Sequence, residues 1–255
     1  PAELVGQSFD DPAYIWGRPT AIGYNAMTSS GTNAGPTAPF GFLRVAAACP
    51  PVSVADPARN AEHVLRFVED ARKQGVQVLV FPELGLTGYT CGDLFFSLTT
   101  LIGGAEQALA RILAATANNA MIVAVGLPAC HEGRLFNVAA VIQKGRILGV
   151  VPKTYLPGYK EYYEERWFAS ARDVLGAEIL LAGQKAPLGT NLIFAVEGEP
   201  GATLAVEICE DLWAPIPPSS HHAVAGATVL LNLSASNEIV GKAEYRRELV
   251  KVARH

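Results

Sequence analysis

The sequence predicts a layered α/β domain, and three observations carry that expectation. Half of its 255 residues are hydrophobic and only 17% are charged, enough apolar material for a large core. Short apolar runs of strand length alternate with stretches whose apolar residues recur at helical spacing. Several of the apolar runs stop abruptly at polar residues of reactive type.

The elements follow in order. Tyr24 to Pro39, YNAMTSSGTNAGPTAP, is rich in Gly, Ser, Thr, Asn and Pro and reads as loop or linker. Residues 1–40 are therefore set apart from a domain over 41–255 and are expected to stay mobile. Leu43 to Ala48 reads as a buried strand. Asp56 offers a helix N-cap and Pro57 suits the first turn, with Ala61, Val64, Leu65, Val68 and Ala71 on one face and Gly75 as the stop. Val76 to Phe81 is a strand, Ala105 to Asn118 a helix, and Met121 to Leu127 a strand. Leu135 to Ile142 and Arg146 to Val151 flank Gln143-Lys144-Gly145 as a hairpin. Ala202 to Ile208 and Val229 to Leu233 are strands, Ala223 to Ala227 belongs to a short helix, and Ala243 to Ala253 forms the last one.

Composition excludes several classes. Twenty Lys and Arg against 24 Asp and Glu leave a net charge of −4, which gives no electrostatic footprint for nucleic acid. No apolar run approaches the roughly 18–20 residues of a membrane-spanning helix. Cys49, Cys91, Cys130 and Cys209 are too few and too scattered for a disulfide framework, and no CxxC pair marks a zinc site. His221 and His222 are adjacent, so on a helix they share no face. They read as a solvated helix start, and no metal is expected.

The chemistry lies at strand ends. VLVF runs into Pro82 and Glu83, ILGVVP into Lys153, TLAVEI into Cys209, Glu210 and Asp211, and VLLNL into Ser234, Ala235 and Ser236. Ligands of open α/β sheets bind outside the carboxyl ends of strands. Singly, each residue has an ordinary reading: a core cysteine, a carboxylate near a helix start, a solvated lysine. Together an acid, an amine and a thiol can open a carbon–nitrogen bond through a thioester. Glu83 would be the base, Cys209 the nucleophile, and Lys153 would stabilise the oxyanion with the backbone N–H of Glu210.

FPELGLTGY around Glu83, VVPKTYLPGYKEYYE around Lys153 and VEICEDLW around Cys209 resemble the three signature blocks of the nitrilase, or carbon–nitrogen hydrolase, superfamily. The likeness is greatest to the glutaminase domains of glutamine-dependent NAD+ synthetases and runs from about Phe42 to His255. It implies a nitrilase-like α-β-β-α sandwich and a Glu83–Lys153–Cys209 triad. It further implies that the thiolate attacks the side-chain amide of L-glutamine, and that the expelled ammonia passes to a synthetase domain. Substrate contacts carry over to Tyr159, Ser236 and Lys242, the last standing where that family often has Arg, whose bidentate grip on a carboxylate Lys lacks. Tyr89 and Trp213 would line the pocket, and Glu164 would support the lysine. The resemblance implies no cofactor for the glutaminase step; ATP and Mg would belong to the synthetase domain. It also implies a cytoplasmic homo-oligomer.

Two features sit apart from this likeness. LVGQSFDDPAYIWGRPTAIGYNAMTSSGTNAGPTAP, residues 4–39, resembles a segment of the C subunit of the potassium-transporting P-type ATPase. A joined reading frame is the expectation there. The SGGxDS loop of the synthetase domain is missing and the sequence stops at VARH, inside a helix of the family. The chain is thus expected to be a fragment that makes no NAD+ alone. The alternatives are a stand-alone amidase of the same superfamily and a non-catalytic piece of the transport subunit.

Overall fold

The computed structural model describes residues 20–22, 42–196, 199 and 201–252. The expectation for residues 1–40 therefore falls outside the described residues, except for a three-residue strand, β1 (Thr20–Ile22).

Two sheets lie face to face. The larger has the order β2 (Val45–Ala47), β3 (Val78–Val80), β4 (Ile122–His131), β5 (Arg134–Gln143), β6 (Arg146–Pro152). The smaller runs β1, β9 (Leu192–Ala195), β10 (Thr203–Ile208), β11 (Val229–Leu233). A separate hairpin joins β7 (Glu178–Leu181) to β8 (Gln184–Pro187). Period-two alternation decides which side chain faces where. Val78, Ile122, Ala124, Ala139 and Val141 turn inward to meet Leu192, Phe194, Leu204, Val206, Ile208 and Leu231 of the second sheet. The intervening Leu79, Val123, Val125, Ala140 and Ile142 turn outward.

That outer face is covered by helices α1 (Pro57–Lys73) and α2 (Gly103–Ala115). Asp56 Oδ1 caps α1 by accepting from the Arg59 N–H at 3.0 Å. The α1 face of Ala61, Val64, Val68 and Ala71 and the α2 face of Ala108, Leu109, Ile112 and Leu113 complete this core. Helix α3 (Pro218–Val224) packs on the far side of β10. Helix α4 (Lys242–Val252) buries none of its residues. The layers are helix, sheet, sheet, helix, the expected α-β-β-α sandwich.

Several expectations are corrected. Strand β2 is an edge, with Val45 half exposed, rather than a buried strand. Strand β4 continues beyond Leu127 to His131 because it pairs with β5 along its whole length. The turns Glu132-Gly133, Lys144-Gly145 and Ala182-Gly183 all have positive φ at both residues, the two-residue hairpin geometry that matches strand twist. The short helix lies at Pro218–Val224, ahead of its expected place. His222 is buried there, its Nε2 2.6 Å from the Thr190 carbonyl, and is not a solvated helix start.

Gly126 of β4 lets the turn that carries Glu83 lie directly against the strand. A Cβ there would stand 2.5 Å from the Pro82 carbonyl oxygen, 2.6 Å from the Leu84 nitrogen and 2.9 Å from the Glu83 Cα. All three are backbone atoms, so no side chain can swing aside. Gly126→Ala is expected to destabilise the chain by about 1–3 kcal/mol, the usual cost of overpacking. A lowered midpoint in urea unfolding checks this; an unchanged midpoint would show that the Pro82–Leu84 segment yields freely.

Candidate active site

Strands β3, β4 and β6 run in one direction, as do β10 and β11, and the carboxyl ends of β3, β6, β10 and β11 converge. Glu83, Lys153 and Cys209 are brought together there.

Lys153 is the hub. Its side chain is fully buried and its Nζ donates to Glu83 Oε1 and to Glu164 Oε1, both at 2.6 Å. Burial pulls the ammonium pKa down, but the carboxylates of Glu83 and Glu164 outweigh burial and leave it above its ordinary value. Lys153 is therefore a fixed positive charge rather than a base. Its backbone N–H donates to the Asn137 carbonyl at 2.9 Å, which sets the depth of the side chain.

Glu83 is held from three sides. Oε1 accepts from Lys153 and from Asn137 Nδ2 at 2.8 Å, and Oε2 accepts from the Ala235 N–H at 2.9 Å. Glu164 Oε1 also accepts from the Tyr89 hydroxyl at 2.6 Å, while its Oε2 is buried with no partner. Burial pushes the Glu164 carboxyl up, Lys153 pulls it down, and the net direction is upward.

Cys209 opens the turn after β10 with φ of 47°, a left-handed conformation rare for a residue with a Cβ. It is 7% exposed. Burial, then the charge of Glu83, pushes its thiol up to about 12, against the pull of Lys153 and Ser234. At neutral pH the resting group is a thiol, which a base would have to deprotonate before it could act as a nucleophile; Glu83 is the carboxylate whose charge bears on it.

Asp211 fixes this turn. Its carboxylate accepts from the N–H groups of Ile208 at 3.0 Å, Thr154 at 3.1 Å and Tyr155 at 2.8 Å. One buried side chain thus ties the end of β10 to the end of β6 and sets Cys209 against Lys153.

A cavity of about 410 Å³ opens beside the sulfur. Cys209, Glu164, Glu210, Tyr159, Trp213, Ser236 and Lys242 all border it. Tyr159 donates its hydroxyl to the Glu210 carboxylate at 3.0 Å. Lys242 Nζ donates to Ser236 Oγ at 2.7 Å and to Asn237 Oδ1, and lies 5.2 Å above the Trp213 ring. Tyr89 stands one layer behind the cavity, bound to Glu164. Among the described residues, no three His, Cys, Asp or Glu side chains are placed to hold a metal ion.

The carbon–nitrogen hydrolase family pattern matches residues 44–255. The chain belongs to the carbon–nitrogen hydrolase family. A glutamine-dependent NAD(+) synthetase of Mycobacterium tuberculosis (strain ATCC 25618 / H37Rv) is 43% identical over 213 residues, covering 84% of this chain and 31% of that protein. One from Aquifex aeolicus is 30% identical over 199 residues, 78% of this chain and 31% of its own length. The chain spans about a third of the length of these curated relatives. The crystal structure of a glutamine-dependent NAD(+) synthetase from Cytophaga hutchinsonii superposes with a TM-score of 0.68 at 29% identity, over 83% of this chain and 33% of that one. An amidase from Nesterenkonia sp. shares the fold at a TM-score of 0.65 and 18% identity, over 83% of this hydrolase and 71% of that chain. The pattern of the K+-transporting ATPase c chain matches residues 1–70 and so overlaps the hydrolase match across β2 and most of α1.

Sequence reasoning assigned no role to Asn137 or Asp211. Asn137 had a signal, a lone amide inside the apolar run LFNVAAVI of β5. Replacing Asp211 by Ala would leave its backbone donors unpaired. At about 1–3 kcal/mol for each buried group, the hydrolase should lose about 3 kcal/mol or more. Urea unfolding measures the loss; a cost below about 1 kcal/mol would mean that water or another side chain satisfies those N–H groups.

Proposed function

We propose that this hydrolase cleaves the side-chain amide of glutamine to glutamate and ammonia. The observation that carries the reading is the pairing of chemistry with charge in one cavity. The Cys209 thiol, the Lys242 ammonium and the Glu210 carboxylate all border it. An amino acid is a zwitterion, and opposite fixed charges suit its carboxylate and its ammonium, while the amide end extends toward the sulfur.

The chemistry follows from the arrangement. Glu83 takes the thiol proton as the sulfur bonds to the amide carbon, and the carbonyl electrons move onto oxygen beside the Lys153 ammonium. The carbon–nitrogen bond breaks, Glu83 returns its proton to nitrogen, and ammonia leaves. Glu164 Oε2, an acceptor without a partner, is available to the amide N–H groups. Water then gives a proton to Glu83 and adds to the thioester, and collapse restores the thiol and releases glutamate. Lys153 stays protonated throughout. By likeness to the named relatives, the ammonia would pass to a synthetase domain for NAD+ synthesis, in the cytoplasm.

The runner-up is an amidase acting on uncharged amides, favoured only by its shared fold. Glutamate release from the purified chain separates the two. Cys209→Ala should abolish release. Lys242→Ala should raise KM by about ten- to a hundredfold with kcat little changed, as for a lost charge-assisted hydrogen bond. Turnover of propionamide with a higher kcat/KM than glutamine would overturn the glutamine reading.

A further inference from the structure

The triad does not account for a line of polar groups beside Cys209 that starts at a buried carboxylate and ends at an exposed hydroxyl, Ser234. Glu207 is on β10, where Leu204, Val206 and Ile208 take the inter-sheet core and leave its side chain on the α3 side. It is 3% exposed. Its Oε2 accepts from the Ser219 N–H at 3.0 Å, and its Oε1 accepts from Asn232 Nδ2 at 3.3 Å. Asn232 is the register partner of Glu207 on β11. Its Oδ1 in turn accepts from the Ser234 hydroxyl at 2.6 Å. Ser234 follows Leu233, the register partner of Ile208, so Ser234 and Cys209 leave neighbouring parallel strands side by side. Ser234 draws the Cys209 thiol pKa down, against burial and Glu83.

The polarity of this line is dictated from its far end. A carboxylate only accepts, so Asn232 must turn its NH2 to Glu207 and its oxygen to Ser234. A hydroxyl has one proton, and Asn232 Oδ1 holds it while Cys209 is a neutral thiol. When the thiolate forms, that proton can stabilise it only by leaving Asn232. We propose that Glu207, Asn232 and Ser234 are positioning residues that set the reactivity of Cys209, through competition between an amide oxygen and the sulfur for one hydroxyl proton. The proposal rests on Cys209 being the nucleophile, but its test reads the sulfur directly and needs no turnover.

Glu207→Gln is nearly isosteric and reverses the line. The Gln oxygen must keep the Ser219 N–H, so its NH2 faces Asn232. Asn232 then flips, offers its NH2 to Ser234 Oγ, and leaves the hydroxyl proton free for the sulfur. Alkylation by iodoacetamide, followed on the Cys209 peptide by mass spectrometry at about pH 8, reports the thiolate fraction. Glu207→Gln should raise that rate about tenfold, and Ser234→Ala should lower it about tenfold, the change in thiolate fraction for one pKa unit. The double variant should behave as Ser234→Ala, and Ser234→Thr should restore the parent rate. Thermal melts confirm that each variant is folded, and the Cys130 peptide gives a reference rate. Equal rates in all variants, or shifts in the same direction for Glu207→Gln and Ser234→Ala, would overturn the proposal. A chain that fails to hydrolyse glutamine yet shows the opposed shifts would instead overturn the glutamine reading alone.

Discussion

The architecture around the site depends on one buried ammonium held between two carboxylates. Taking three charges out of water costs several kcal/mol for each ion, and mutual attraction offsets that only with short contacts and further hydrogen bonds. Both conditions are met: Lys153 reaches Glu83 and Glu164 at 2.6 Å, and Asn137, Ala235 and Tyr89 supply additional donors. Two negative charges beside one positive leave a net negative site. Burial first, and then the charge of Glu83, is why the neighbouring sulfur keeps its proton at rest. Under the proposed chemistry the nucleophile would therefore form during attack rather than be stored.

Three consecutive residues after β11 serve three different partners. The Ser234 hydroxyl donates to Asn232 beside the Cys209 turn, the Ala235 N–H holds Glu83, and Ser236 Oγ accepts from Lys242 on the cavity wall. A single stretch of backbone thus couples Cys209, Glu83 and Lys242. The coupling is geometric: a shift of this segment along its strand would disturb all three at once.

How much of this was readable in the sequence depended on whether the signal was local. The core strands were legible because each is a short apolar run, and α1 because its cap and its apolar face lie within one segment. Glu83, Lys153 and Cys209 were legible as polar residues at the ends of such runs. Strands β7, β8 and β9 were missed because EILL, QKAP and LIFA are each only four residues long and gain their order from partners. The burial of His222 depends on Thr190, 32 positions away, and the role of Asp211 on N–H groups 56 and 57 positions away. Backbone donors leave no trace in residue identity, so contacts of this kind emerge only once the chain is folded.

The left-handed turn at Cys209 carries a conformational cost. A residue bearing a Cβ in that conformation sits about 1–2 kcal/mol above one without. Glycine would rest there more comfortably than the reactive side chain does. A Cys209→Gly chain would relax this turn and lose the sulfur with it, so ease of the backbone and reactivity of the side chain pull in opposite directions at this one position.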